Sequence, residues 1–247
     1  MNAAQLHLAS DRTRRILEDL ETVRENLLAL SEQIWLNIDH NDNEAIEEGV
    51  RFKQAYNDKM NAFDELASEL SSMVQEYTRV TLVESEEVAS DDSGQNERII
   101  RELDRQVPHS IDEDFRFKRP YGFLLEGQGS TGITTWRRLF ELICQQLLRR
   151  DPERFRTLPE NPDYISNRGN PGFSRDRDQL RSASLIGDGV YAEINLSANH
   201  ICDVIHRLLD TFEIPVSELK LFLREDRDAE GMGKTNVSRV SDQSCQA

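Results

Sequence analysis

Residues 127 to 135 read Gly-Gln-Gly-Ser-Thr-Gly-Ile-Thr-Thr, set between the apolar run Tyr121 to Leu125 and a helix-like stretch that opens at Trp136. Strand, glycine-rich loop and helix in that order is the context in which backbone N–H groups cradle a phosphate. The stretch fits G-x-x-x-x-G-K-[ST] at Gly127, Gly132 and Thr134, but Ile133 stands where the lysine that reaches the terminal phosphates belongs. Few strands follow it, and none ends in an obvious metal-binding aspartate, so a parallel nucleotide-binding sheet is hard to assemble. The stretch is therefore expected to be a flexible polar loop in which Thr134 or Thr135 caps the Trp136 helix. A second glycine-lysine-threonine string, Gly231 to Thr235, follows no strand and is set aside.

Three other groupings carry reactive side chains. His200, Cys202 and His206 share one expected helix, but at 100° per residue only Cys202 and His206 lie together. Nothing nearby lowers that thiol's pKa, so packing at the core edge is the expected role. Glu218-Leu219-Lys220 has the E-x-K form used by metal-dependent nucleases, with Pro162-Asp163 as the earlier half; a whole hairpin and helix intervene. The span 149 to 181 is more suggestive, with Arg149, Arg150, Arg154, Arg156, Arg168, Arg175, Arg177 and Arg181 against six acids. Guanidinium forks suit phosphate and carboxylate recognition, and Phe155, Tyr164 and Phe173 offer stacking surfaces. Nucleic-acid contact is one reading of this segment. Internal arginine–acid pairing, or docking on an acidic partner such as the chain's own first half, is the favoured one. No cofactor, metal or catalytic residue is assigned.

The elements that must position these residues begin with the clearest pattern in the chain. Leu6, Ala9, Thr13, Ile16, Leu20, Val23, Leu27, Leu30 and Ile34 alternate steps of three and four, a heptad seam. After the polar break Asp39 to Asn43 a second series runs Ile46, Gly49, Lys53, Tyr56, Met60, Phe63, Ala67, Leu70, Val74 and Tyr77. There is no proline in either, and Gly49 is the only glycine before residue 94. Two helices of roughly 34 and 40 residues, joined by a short turn, predict an antiparallel hairpin. The second helix carries a third apolar position per heptad at Phe52, Leu66, Met73 and Val80, and the first carries an extra pair at Leu28 and Trp35. A two-stranded seam needs only two positions, so these six residues are the candidates for oligomerisation into a four-helix bundle. Coverage by the second half of the same chain is the alternative.

Beyond the hairpin, short apolar runs at 121–125, 190–196 and 219–223 alternate with helical patterns at 135–150 and 198–213. Gly187-Asp188-Gly189 reads as a hairpin turn and Ser197 as a helix N-cap. The expected division is a hairpin over 1–88, an acidic linker over 89–97, an α+β domain over 98–226 and a disordered tail over 227–247. The fold class is mainly α with α+β: a long coiled-coil hairpin followed by a small domain with a short, mostly antiparallel sheet.

Composition bounds the partners. Of the net charge of −16, residues 1 to 97 hold −14 and the remainder only −2. An acidic half repels nucleic acid and bilayer surfaces, so any phosphate contact belongs to the second half. The N-terminus has no cationic-then-apolar leader, no run of eighteen apolar residues occurs, and Cys144, Cys202 and Cys245 lack metal-ligand spacing. These features predict a cytoplasmic protein with no membrane partner. The function expected is a non-catalytic homo-oligomeric scaffold or adaptor whose second domain binds a protein. A dimeric nucleic-acid-binding regulator using 149–181 is the runner-up, and a metal-dependent nuclease or nucleotide hydrolase comes third.

Overall fold

The computed structural model of the chain describes residues 3–80, 86–88, 93–166 and 169–225. Helix α1 spans Ala3–Leu36 and α2 spans Asn43–Thr78. The α2 start is set by Asp42, whose carboxylate accepts a hydrogen bond from the Glu44 N–H, and its end by Arg79 in the left-handed conformation. The two helices run antiparallel: the Tyr56 hydroxyl donates to the Leu27 carbonyl at 2.8 Å, and Lys53 donates to the Ser31 hydroxyl.

The expected fold class is the one observed. Strand β1 (Glu87–Val88) and helix α3 (Ser93–Leu103) precede a tight hairpin of β2 (Pro120–Leu125) and β3 (Gln128–Thr131). Helices α4 (Trp136–Arg150) and α5 (Pro152–Arg156) lead to β4 (Phe173–Ser174), the β5 (Ala183–Gly187) and β6 (Val190–Glu193) hairpin, α6 (Ala198–Thr211) and β7 (Leu219–Leu223). They form two antiparallel sheets, in the orders β1-β3-β2-β7 and β4-β6-β5. Helices α4 and α6 share one apolar core with strands of both sheets, built on Phe123, Phe140, Ile143, Leu147, Ile205 and Leu208. The β5–β6 turn uses Asp188 and Gly189 at φ 52° and 73°, as the Gly-Asp-Gly sequence required.

Several expectations need correction. Residues 128–131 are a strand, not a loop, and the turn before them sits at Glu126-Gly127, both with positive φ. Gly129 in β3 admits α3 to the sheet, because a Cβ there would lie 2.6 Å from the Ile99 Cγ2. Residues 93–97, expected in the linker, are the first turns of α3, and 87–88, expected in the hairpin, pair with β3. The disordered tail expected over 227–247 lies outside the described residues.

The hairpin seats against the α+β domain. The expected α2 seam faces inward at Gly49, Met60 and Ala67, but α1 is turned, so that only part of its expected seam points into the seat. The expected seam residues Ile16, Val23 and Leu30 of α1 are exposed, while Leu17, Glu21, Arg24 and Ser31 are buried. Both sets follow the same three-four spacing, so either could face inward. The second set wins because Arg24 and Glu25 find hydrogen-bond partners in the seat that cancel much of the cost of burying them.

Candidate functional site

The helix start that resembled a phosphate site is already filled by the chain itself. Thr135 is extended, at φ −136° and ψ 148°, and its Oγ1 accepts from the Arg138 N–H at 3.1 Å. The Trp136 N–H donates to Oε1 of Glu25, which reaches across from α1. The Glu25 side chain thus occupies the N-terminus of α4 where a phosphate would otherwise bind. Burial pushes the Glu25 carboxyl up to about 7, only partly countered by the Arg24 guanidinium and by the N–H groups of Trp136 and Arg137, with Glu21 adding to the rise.

Glu25 belongs to a buried charged cluster at the seat of the hairpin. Arg24 pairs with Asp64 of α2 and donates to the Ile194 carbonyl at 3.2 Å, and it is only 1% exposed. Arg137 of α4 reaches the same Asp64 oxygen at 2.9 Å. Burial opposes ionisation of Asp64, but the two guanidiniums outweigh it and hold the carboxyl below its ordinary range. Oε2 of Glu21 and Nε of Arg137 are buried with no hydrogen-bond partner. Further contacts across the seat are also polar: Ser197 to Glu32, Asn195 to Asn61 at 3.3 Å, and Arg224 to Glu18 at 3.6 Å.

The arginine-rich segment is largely tied down by its own chain. Arg150 lies 2.8 Å from Glu126 and donates to the Phe212 carbonyl; Arg154 holds the Thr211 carbonyl and lies 3.4 Å from Asp151. These two fasten α4 and α5 to the C-terminal end of α6, where the helix dipole favours cations. Arg156 pairs with Asp188 at 2.8 Å, and Arg175 donates to the Arg156 carbonyl and lies 3.7 Å from Glu160. Arg181 lies 3.7 Å from Glu193. Arg149 and Arg177 are exposed, and Arg168 lies outside the described residues. Arg181 also lines an open cleft of about 670 Å³ together with Tyr164, His200 and Arg207, but Asp163 and Glu193 share its walls, so the charge there is mixed.

The remaining reactive groups are not assembled. Burial, aided by Asp203, pushes the Cys202 thiol far above the range in which it ionises, while His206 turns to Asp210 at 3.5 Å and Asp112 at 3.9 Å. Asp163 sits in a short turn whose carbonyl caps Arg207, whereas Glu218 and Lys220 stand at the start of β7 in the other sheet. Among the described residues no group of three or more His, Cys, Asp or Glu side chains is placed to hold a metal, and no helix is long and apolar enough to cross a membrane.

The six residues assigned to oligomerisation separate. Leu66 is 65% exposed and Met73 60%, with Phe52 also exposed. Leu28 and Trp35 are half-buried, and Val80 is buried at 4%, which leaves it no surface to offer a partner. Sequence reasoning missed Ile16, Val23, Leu30, Leu70 and Tyr77 as outward residues, because each counted as part of the seam. It also missed the Arg24–Asp64–Arg137 cluster. The signal for it was present as charges interrupting the second three-four series, Leu17, Glu21, Arg24, Leu28, Ser31, Trp35. No protein-family model, no curated protein and no solved structure matches this chain.

Proposed function

We propose that this chain is a non-catalytic, cytoplasmic homo-oligomeric scaffold or adaptor, joined to other copies through the outer face of its hairpin and leaving the α+β domain free to bind a protein. One observation carries the reading: part of the face the hairpin buries is charged, while two lines of large apolar side chains are left on its outer face. On α1 the exposed Ile16, Val23 and Leu30 are spaced by seven. On α2 the exposed Leu66, Leu70, Met73 and Tyr77 step by four, three and four, the period of a coiled-coil seam. The pairings of Arg24 with Asp64 and Tyr56 with Leu27 bring Ile16 level with Leu70, so the two ridges lie side by side. From Phe52 to Tyr77 the face runs about 37 Å, and two helices are about 20 Å wide, giving roughly 700 Å². That is close to the ~800 Å² each partner contributes to a standard interface. A second copy offers the same two ridges, so an isologous pairing forms a four-helix bundle.

Sedimentation velocity of the full chain at micromolar concentration tests this. A dimer or larger species is expected, and Leu66→Glu with Met73→Glu is expected to give a monomer of unchanged helicity. A wild-type chain that stays strictly monomeric ends the proposal. Nucleic-acid binding through 149–181 is disfavoured, since most of its described arginines are engaged by the chain itself. Mobility shifts that fall steeply with salt would restore that reading.

A further inference from the structure

The seat between hairpin and α+β domain holds more carboxyl groups than cations. Glu21 and Glu25 of α1 and Asp64 of α2 face Arg24 of α1 and Arg137 of α4. Glu21, Glu25, Asp64 and Arg24 are each less than one-tenth exposed. Among the described residues, the other groups bonded to Glu25, Asp64 or Arg24 carry no charge: the Trp136 and Arg137 N–H groups of α4, the Ile194 carbonyl after β6, and the Ser182 side chain near Asp64; Glu86, Arg138 and Glu141 share a cleft with Glu21 and Arg137. Arg138, next along α4, is taken by Glu86 and Glu141, and Arg224 by Glu18. Three ionised carboxylates against two guanidiniums would leave an uncompensated charge in a closed site, which is costly. One carboxyl must keep its proton while the seat is closed. Asp64 is held by both guanidiniums, so the proton falls to a glutamate; at the α1–α4 junction burial favours the neutral form of Glu25, outweighing Arg24 and the N–H groups of Trp136 and Arg137, which favour the ionised one.

We propose that the seat is a proton-gated latch: with a proton on Glu25 the hairpin is locked onto the N-terminus of α4, and loss of that proton frees it. The latch follows from the packing and does not depend on self-association. Its working range is set by burial, which raises Glu25 from 4.5 to about 7. A carboxyl whose folded pKa is raised stabilises the closed state fully below 4.5, progressively less as pH rises, and not at all above about 7. Asp64 acts in the opposite sense but only in strong acid, below 3.8, outside this window. His200 of α6 also lies near the hairpin and interacts electrostatically with Glu32; burial lowers its pKa from 6.5, so the test must separate it from Glu25.

Hydrogen exchange on the full chain, corrected for the intrinsic rate, reads the latch at the amides of Trp136–Phe140 and of Glu21–Ala29. Protection is expected to fall on the order of tenfold between about pH 5.5 and about pH 8.5. Glu25→Gln keeps the acceptor oxygen and cannot ionise, so it should stay protected at both values. Glu21→Gln removes a neighbouring charge that raises Glu25, so it should move the midpoint of opening to lower pH. Equal protection of the wild type at both values, the same fall in Glu25→Gln, or an unmoved midpoint in Glu21→Gln would each overturn the latch. Repeating the measurement at two protein concentrations separates opening from any change in self-association.

Discussion

Arg24 is where the two halves of the molecule meet: one guanidinium joins α1 to Asp64 of α2 and to the Ile194 carbonyl of the α+β domain. Removing one partner of a buried pair strands the other, and for such pairs the loss is about 3–5 kcal/mol. Arg24→Met should therefore lower the urea midpoint sharply. Replacing both partners by apolar residues of similar volume is often close to neutral. Because Asp64 also holds Arg137, Arg24→Met with Asp64→Leu should recover only part of the loss and the further change Arg137→Met most of it; a triple variant as unstable as the single would mean that Arg24 acts through something other than this cluster. At the far side of the seat, Thr135 caps α4 through Arg138 N, so Thr135→Ala should cost about 1 kcal/mol in the same denaturation experiment. The two residues were unequally visible beforehand. Thr135 announces itself by type and place just before a helical pattern, whereas Arg24 looks like any surface arginine until Asp64, forty residues on, is beside it.

At the scale of elements, the long helices and β2, α4, α6 and β7 follow periods that a sequence displays directly, and each falls within a few residues of its expected range. Strand β3 does not, because Gln128-Gly129-Ser130-Thr131 has no apolar alternation; it is held by pairing to β2 and covered by α3. Gly129→Val tests that account. The added side chain must displace Ile99, which is fully buried, and overpacking of this kind costs about 1–3 kcal/mol, read as a lower midpoint of thermal unfolding. Helix α3 was hidden for a related reason: its first turn continues the acid- and serine-rich run that marks a linker. The turning of α1, which leaves Leu20, Leu27 and Ile34 half-buried, was hidden more deeply. Apolar positions alone assign Ile16, Val23 and Leu30 to the seam, and the partners that draw Arg24 and Glu25 inward come from α2 and α4, beyond any local window.

Across the whole molecule the charge asymmetry is partly answered from within. Arg137, Arg138 and Arg224 of the near-neutral half meet Asp64, Glu86 and Glu18 of the acidic half. Such a seat joins two units by polar contacts, and apolar burial there is limited to residues such as Leu17, Ala29 and Ala67. Interfaces of this kind allow relative motion more readily than a shared apolar core does. Trp136 is placed to report that motion: it is 1% exposed, its indole donates to the Lys118 carbonyl at 2.8 Å, and its backbone N–H holds Glu25. Trp35→Phe leaves it as the sole tryptophan. Near pH 5.5 to 6, with Glu25 protonated, Trp136 emission and helical ellipticity should change at one temperature, because the seat and the core open together. In mild alkali the emission should shift several degrees before the ellipticity, since the hairpin leaves α4 while the core on Phe123 and Phe140 still holds its helices. Coincident transitions at both pH values would mean that hairpin and domain form one cooperative unit, with the buried charge too well compensated to divide them.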